Sequence, residues 1–207
     1  DTRLHTRSSY YESTAATITQ FCATDSRPTA VFFPSYRYAE TIRTYLQGVA
    51  PGFVVAMQPR GIELQGQMHF IEESLISAHA VFFVLGSSFS EGIDELGGRI
   101  GQAMVVGPAL PEVNAEQKAR MERLADQGQA AAFRSVYQLP AMRKINQALG
   151  RLVRAPGQRA RVLLHCRRFA DKSYQELLDP VLVPESILRS PAELSDWLSA
   201  SDASAAR

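Results

Sequence analysis

Short, unbroken apolar runs alternate along this chain with longer segments whose apolar positions recur at helical spacing. Thr29-Ala30-Val31-Phe32-Phe33 is the first run, 53–57 the second, and Ala80-Val81-Phe82-Phe83-Val84-Leu85 the strongest; 103–106 and 160–166 complete the set. Runs that are apolar at every position, rather than at alternate ones, fit strands buried on both faces. Between them the spacing predicts helices over 14–21, over 37–46 with Gly48 closing it, and over 65–77 with Met68, Ile71, Leu75 and Ile76 inward. Asn114 with Gln117 forms a capping pair for a long helix toward Arg134, and a further helix is predicted over 141–154. Ser190-Pro191 opens a last helix through Trp197, with the residues beyond it frayed. This alternation predicts one α/β domain over 1–180, a parallel sheet flanked by helices on both faces, followed by a C-terminal helix and tail over 181–207.

Composition narrows the function classes. The 207 residues carry 22 Lys plus Arg against 21 Asp plus Glu, a net charge of +1, which excludes a polycation but leaves room for a local basic face. Hydrophobic residues at 45% and charged residues at 21% are ordinary for a folded domain. Cys22 and Cys166 cannot build a disulfide framework, so a reducing compartment is expected. No run approaches the roughly 20 apolar residues of a membrane span, and the N-terminus has no signal-peptide core. A cytoplasmic or nucleoid-associated protein with no membrane partner is the expectation. The chain opens Asp1-Thr2-Arg3 without an initiator Met, as a piece of a longer polypeptide would.

Three segments carry candidate chemistry. On a helical wheel Arg143, Lys144, Arg151 and Arg154 fall within about 60° of Gln147, opposite Met142, Ile145, Leu149, Leu152 and Val153. A solvated charged face is the ordinary reading of such a strip. Two guanidinium forks and an amide one turn apart also fit phosphate oxygens. Gly150, read as lying inside this helix, costs roughly 1 kcal/mol against Ala and asks for a close neighbour. The second segment, Gly86-Ser87-Ser88-Phe89-Ser90-Glu91-Gly92-Ile93-Asp94, follows the strongest strand, at the carboxyl end where ligands of open parallel sheets gather. Glu91 or Asp94 suits a ribose hydroxyl or a metal-bound water, and the serines suit phosphates. Most Gly/Ser loops are only loops. The third is Phe33-Pro34-Ser35-Tyr36, where Ser35 suits a helix cap and Tyr36 either a base stack or a half-buried structural place.

Other chemistry is missing. His165-Cys166 has no second pair at metal spacing, so no metal site is assigned. Gly97-Gly98-Arg99-Ile100-Gly101 reads as a turn rather than a dinucleotide fingerprint, and no P-loop sequence occurs. The chain alone is therefore not expected to hydrolyse ATP.

Taken in order, Val31-Phe32-Phe33-Pro34-Ser35-Tyr36, Gly86 to Asp94 and Gln147-Ala148-Leu149-Gly150-Arg151-Leu152-Val153-Arg154 resemble motifs IV, V and VI of superfamily 2 DNA helicases of the XPD/DinG type. The likeness extends to about Leu178. It implies a RecA-like fold and the second motor domain of an ATP-driven helicase moving 5′ to 3′ on single-stranded DNA. It implies that ATP and Mg²⁺ lie against a first motor domain, of the same polypeptide, that supplies the P-loop. In that family the first domain usually also carries an iron–sulfur cluster, and none is implied for this chain. By this resemblance Arg151 and Arg154 are arginine fingers beside Gln147, and Glu91, Gly92, Asp94 and Gly150 line the nucleotide. Ser35, Tyr36, Ser88, Phe89 and Ser90 face the DNA. The chain departs from the pattern at Gln158-Arg159-Ala160, where an acidic residue and Gly are usual, and at Cys166, where a strand-end Asp is usual. The alternative is a free-standing RecA-like module that binds nucleic acid or a protein without turnover; the plainest is a structural domain with a solvated basic helix.

Overall fold

The computed structural model describes residues 1–87, 89, 96–152 and 158–205, with side chains through residue 200. Among these, β1 (Thr29–Phe33), β2 (Val55–Met57), β3 (Ala80–Val84), β4 (Gln102–Val105) and β5 (Arg161–Leu164) form one sheet. Its order is β2-β3-β1-β4-β5 and every pairing is parallel. Thr29 pairs with Ala80 and Phe33 with Val84, so the two most apolar runs lie side by side at its centre. The helices are α1 (Tyr11–Cys22), α2 (Tyr36–Val49), α3 (Leu64–Ser77), α4 (Ala115–Arg123), α5 (Gln129–Phe133), α6 (Leu139–Leu149), α7 (Lys172–Gln175) and α8 (Pro191–Ala205).

Strand side chains alternate between faces, and each face has its own core. Ala30, Phe32, Val81, Phe83 and Val105 pack against Ile71 of α3 and Met142, Ile145 and Leu149 of α6. Val31, Phe33, Phe82 and Met104 pack against Ile18 and Phe21 of α1, Ile42 and Leu46 of α2, and Leu194 and Leu198 of α8. Phe33 and Phe82 bring their ring centroids to 4.7 Å across the β1–β3 pair. Burying each such ring contributes roughly 1.5–3 kcal/mol. The α/β expectation with both sheet faces covered holds, and the architecture is RecA-like.

Several boundaries differ from the sequence reading. Helix α2 passes through Gly48 to Val49, and Ala50 closes it by donating its N–H to Leu46 O at 2.8 Å. Helix α3 buries Gln67, Ile71 and Ser74, while Met68 is 44% and Ile76 86% exposed. The two polar residues are tolerated inside because they bond to nearby carbonyls: Ser74 Oγ to Phe70 O at 2.6 Å, and Gln67 Nε2 to Ile62 O at 3.1 Å. The long helix expected after Asn114 stops at Arg123, and a 3-10 turn over Ala125–Gln127 leads to Gly128, whose φ of 88° keeps the two helical segments apart. Asn114 does cap α4, accepting from Gln117 N at 2.9 Å. Helix α6 ends at Leu149, so Gly150 is its C-cap rather than an interior residue, with its N–H on Asn146 O at 2.9 Å. At the other end of the chain, α8 continues past Trp197 to Ala205, and Trp197 stacks on Phe21 of α1 with centroids 6.2 Å apart. Among the described residues no helix is long and apolar enough to cross a membrane.

Candidate functional site

Because every strand runs the same way, the loops after β1, β2 and β3 emerge at one edge of the sheet. Ser35 adopts extended backbone and caps α2, its Oγ accepting from Tyr38 N at 3.3 Å. Tyr36, the next residue, is half-buried. The Arg60 guanidinium lies over its ring at 4.3 Å and is held there by Glu40, with 2.9 Å between Nη2 and Oε1. One face of the ring is therefore taken. The Tyr36 hydroxyl accepts from Gln58 Nε2, while Gln58 Oε1 accepts from Val84 N at 2.8 Å and Ser87 Oγ at 3.2 Å. Sequence reasoning passed over Gln58 and Arg60. Their only signal was a polar residue ending an apolar run just before Pro59.

Phe89 requires a correction. It is 1% exposed and packs edge-on against Phe70, at 5.5 Å, and against Phe83, at 6.4 Å. The one aromatic ring of this Gly- and Ser-rich loop goes into the crevice between α3 and β3, out of reach of a nucleobase. Ser88, Ser90, Glu91, Gly92 and Asp94 lie outside the described residues, and so does Arg154.

Helix α6 presents the two faces that its sequence spacing predicts. Met142, Ile145, Ala148 and Leu149 are buried, Arg143 and Gln147 are exposed, and Lys144 and Arg151 are half-buried. Lys144 brings this polar face to the carboxyl end of β3: a Cβ placed on Gly86 would fall 2.9 Å from Lys144 Nζ. Past the same loop, Gly98 donates its N–H to Leu152 O at 3.4 Å, and Gln158 packs its amide on Gly98. The loop after β3 and the C-terminal end of α6 thus meet. Asn146 fixes the helix from its other side, donating to Leu177 O at 2.9 Å and accepting from Asp179 N at 3.1 Å.

Cys166, the departure at the end of β5, and its neighbour His165 have local partners. Thr2 Oγ1 donates to Cys166 Sγ at 2.9 Å, and Thr14 Oγ1 lies 3.2 Å from His165 Nε2. Burial pushes the His165 imidazole down to about 4, so it is neutral at physiological pH. No group of three or more His, Cys, Asp or Glu converges among the described residues. Lys144 and Gln147 lie on the polar face of α6 and Arg151 just beyond its end, and each is a donor of the kind that suits anionic oxygens. A groove of about 1760 Å³ runs along the unpaired side of β5 and touches Gly150 but neither Gln147 nor Arg151.

The sequence model of the helicase C-terminal domain matches residues 18–184, well over half of the chain. No curated relative matches the sequence. The solved structure of S. tokodaii Xpd4 superposes with a TM-score of 0.63 at 18% identity, covering 87% of this chain and 35% of that one. An XPD helicase structure gives 0.66 at 17% identity, covering 81% and 30%, and an apo XPD structure gives 0.63 at 19%, covering 79% and 33%. At such identities the likeness is one of fold. This chain spans about a third of the length of those structures.

Proposed function

The chain belongs to the helicase C-terminal domain family, and from that premise we propose that it is the second motor domain of an ATP-dependent DNA helicase that moves 5′ to 3′ on a single strand and serves DNA repair. The observation that carries this reading is the meeting of the polar face of α6 with the carboxyl end of β3, through Lys144 over Gly86 and the Gly98–Leu152 hydrogen bond. In this reading Gln147, one turn beyond Lys144, and Arg151, next to Leu152, face the nucleotide together with the loop after β3. ATP and Mg²⁺ would lie between this domain and a P-loop domain of the same polypeptide. Glu91, Gly92, Asp94 and Gly150 line the nucleotide in this reading, and Arg151 and Arg154 reach its γ-phosphate beside Gln147. Ser35, Tyr36, Ser88 and Ser90 face the DNA.

The physical logic is electrostatic. A guanidinium brought in only when two domains close stabilises the charge that gathers on the transferring phosphoryl group, and so ties hydrolysis to movement. In this reading the P-loop domain holds the metal and this chain supplies the basic donors.

The test is single-strand-stimulated ATPase of the full-length protein, wild type against Arg151→Ala and Arg154→Ala. Loss of kcat by roughly 10³-fold or more with nucleotide affinity kept is the expected result. Unchanged turnover with weakened, salt-sensitive DNA binding overturns it and favours a module that binds without turnover.

A further inference from the structure

Gln58 stands where the chain leaves β2 and turns at Pro59. Its main-chain N–H adds one more rung to the ladder, donating to Phe82 O at 3.0 Å. Its side chain then folds back into the sheet edge and is 2% exposed. There it replaces the main-chain acceptor that the departing strand no longer offers to Val84 N.

This fixes which way round the amide lies. A main-chain N–H can only donate, so the atom facing Val84 N at 2.8 Å is the oxygen, and Ser87 Oγ donates to that same oxygen at 3.2 Å. The NH₂ group therefore faces the Tyr36 hydroxyl, which must accept. The phenol proton is left for an acceptor other than Gln58. Arg60 over the ring, anchored by Glu40, restrains the half-buried tyrosine from a second direction.

Resting on the reading of this edge as the nucleic-acid side, we propose that Gln58 is a positioning residue that presents the Tyr36 hydroxyl as a hydrogen-bond donor to a phosphodiester oxygen of single-stranded DNA. A donor aimed at a charged oxygen is worth more than one aimed at a neutral group. The backbone contact explains how a tyrosine with one ring face already occupied serves the strand without stacking.

The test uses the full-length protein and a fluorescent oligothymidylate, with affinity read by anisotropy and folding followed by thermal melting. Gln58→Glu keeps an acceptor for Val84 N but, as a carboxylate, makes Tyr36 donate inward; DNA affinity falls about tenfold. Tyr36→Phe produces the same loss, and Gln58→Glu adds nothing further in the Tyr36→Phe background. The slope of log Kd against log salt stays at its wild-type value throughout, because no phosphate-pairing cation is removed. Two outcomes overturn the proposal alone: wild-type affinity in Tyr36→Phe, which is decisive even if Gln58→Glu does not fold, or a Gln58→Glu loss that persists in the Tyr36→Phe background. A wild-type protein with no single-strand affinity overturns the nucleic-acid reading of the edge and this proposal with it.

Discussion

Gly86 lies directly against the Lys144 side chain: a Cβ built on Gly86 would come within 2.8 Å of Lys144 Cε and 2.9 Å of Nζ. Gly86 also has a φ of 77°, in the left-handed region that favours glycine. Two requirements coincide at one residue, and together they hold the start of the loop after β3 against the polar face of α6.

Gly86→Ala is therefore expected to destabilise the fold by about 1–2 kcal/mol, chiefly from the left-handed backbone. Lys144 ends in a flexible chain and can yield, so the steric part is small. Urea unfolding of Gly86→Ala, Lys144→Ala and the double variant separates the two causes. A smaller cost of Gly86→Ala in the Lys144→Ala background confirms the contact, and strict additivity refutes it.

Arg151→Lys keeps the charge at its position but not the planar fork. If Arg151 acts on the γ-phosphate, the full-length Arg151→Lys protein recovers at most about tenfold in kcat over Arg151→Ala, still far below wild type. Full recovery by lysine would show that a point charge suffices and that no bidentate contact is made. Steady-state ATPase with saturating single strand measures it.

Some of this architecture can be read directly from the residues. Strand β1 was expected over Thr29–Phe33 and occurs there, because five consecutive residues without a charge or amide leave a doubly covered strand as the cheapest place to put them. The two faces of α6 were legible for the same reason, since its charges and apolar groups segregate cleanly at 3.6-residue spacing. Where burial depends on a hydrogen bond made in three dimensions, the pattern misleads. Ser74 and Gln67 go inside α3 once local carbonyls satisfy them, and Ile76 is left 86% exposed. Gln58 is invisible to periodicity because its role depends on Tyr36, Val84 and Ser87, brought together only by the β2-β3-β1 order. Phe89 went the other way: a loop residue expected to face the DNA packs in the crevice beside Phe70.

A buried amide at the opposite edge of the sheet gives a stability prediction. Gln102 opens β4 at 2% exposure, accepting from Thr29 Oγ1 at 3.2 Å and donating to Thr24 Oγ1 at 2.7 Å. Gln102→Ala opens a cavity and leaves the buried Thr29 hydroxyl with the Cys22 thiol alone, at an expected cost of about 2–4 kcal/mol. Gln102→Met refills the volume but restores neither bond, and is expected to recover only part of the loss. Equal stability of the methionine variant and wild type, by urea titration, would show that packing alone matters there.

His165 makes stability depend on pH in a defined direction. Burial lowers its pKa from 6.5 to about 4, so between those values the unfolded chain binds a proton that the native one does not. Its contribution is therefore complete above about pH 6.5 and declines as the pH falls toward 4, which is the direction linkage requires when the unfolded state holds more protons. At pH 5 the loss is about 1–2 kcal/mol relative to pH 7.5. His165→Gln keeps a polar partner near Thr14 Oγ1, now 3.2 Å from the imidazole, but removes the titration. Urea unfolding at both pH values should show wild type losing that much more than His165→Gln as the pH drops, with carboxylate effects cancelling between the two proteins. An identical acid limb in both would mean that the imidazole takes up its proton in the folded state, and that Thr14 and the end of β5 accommodate the charge.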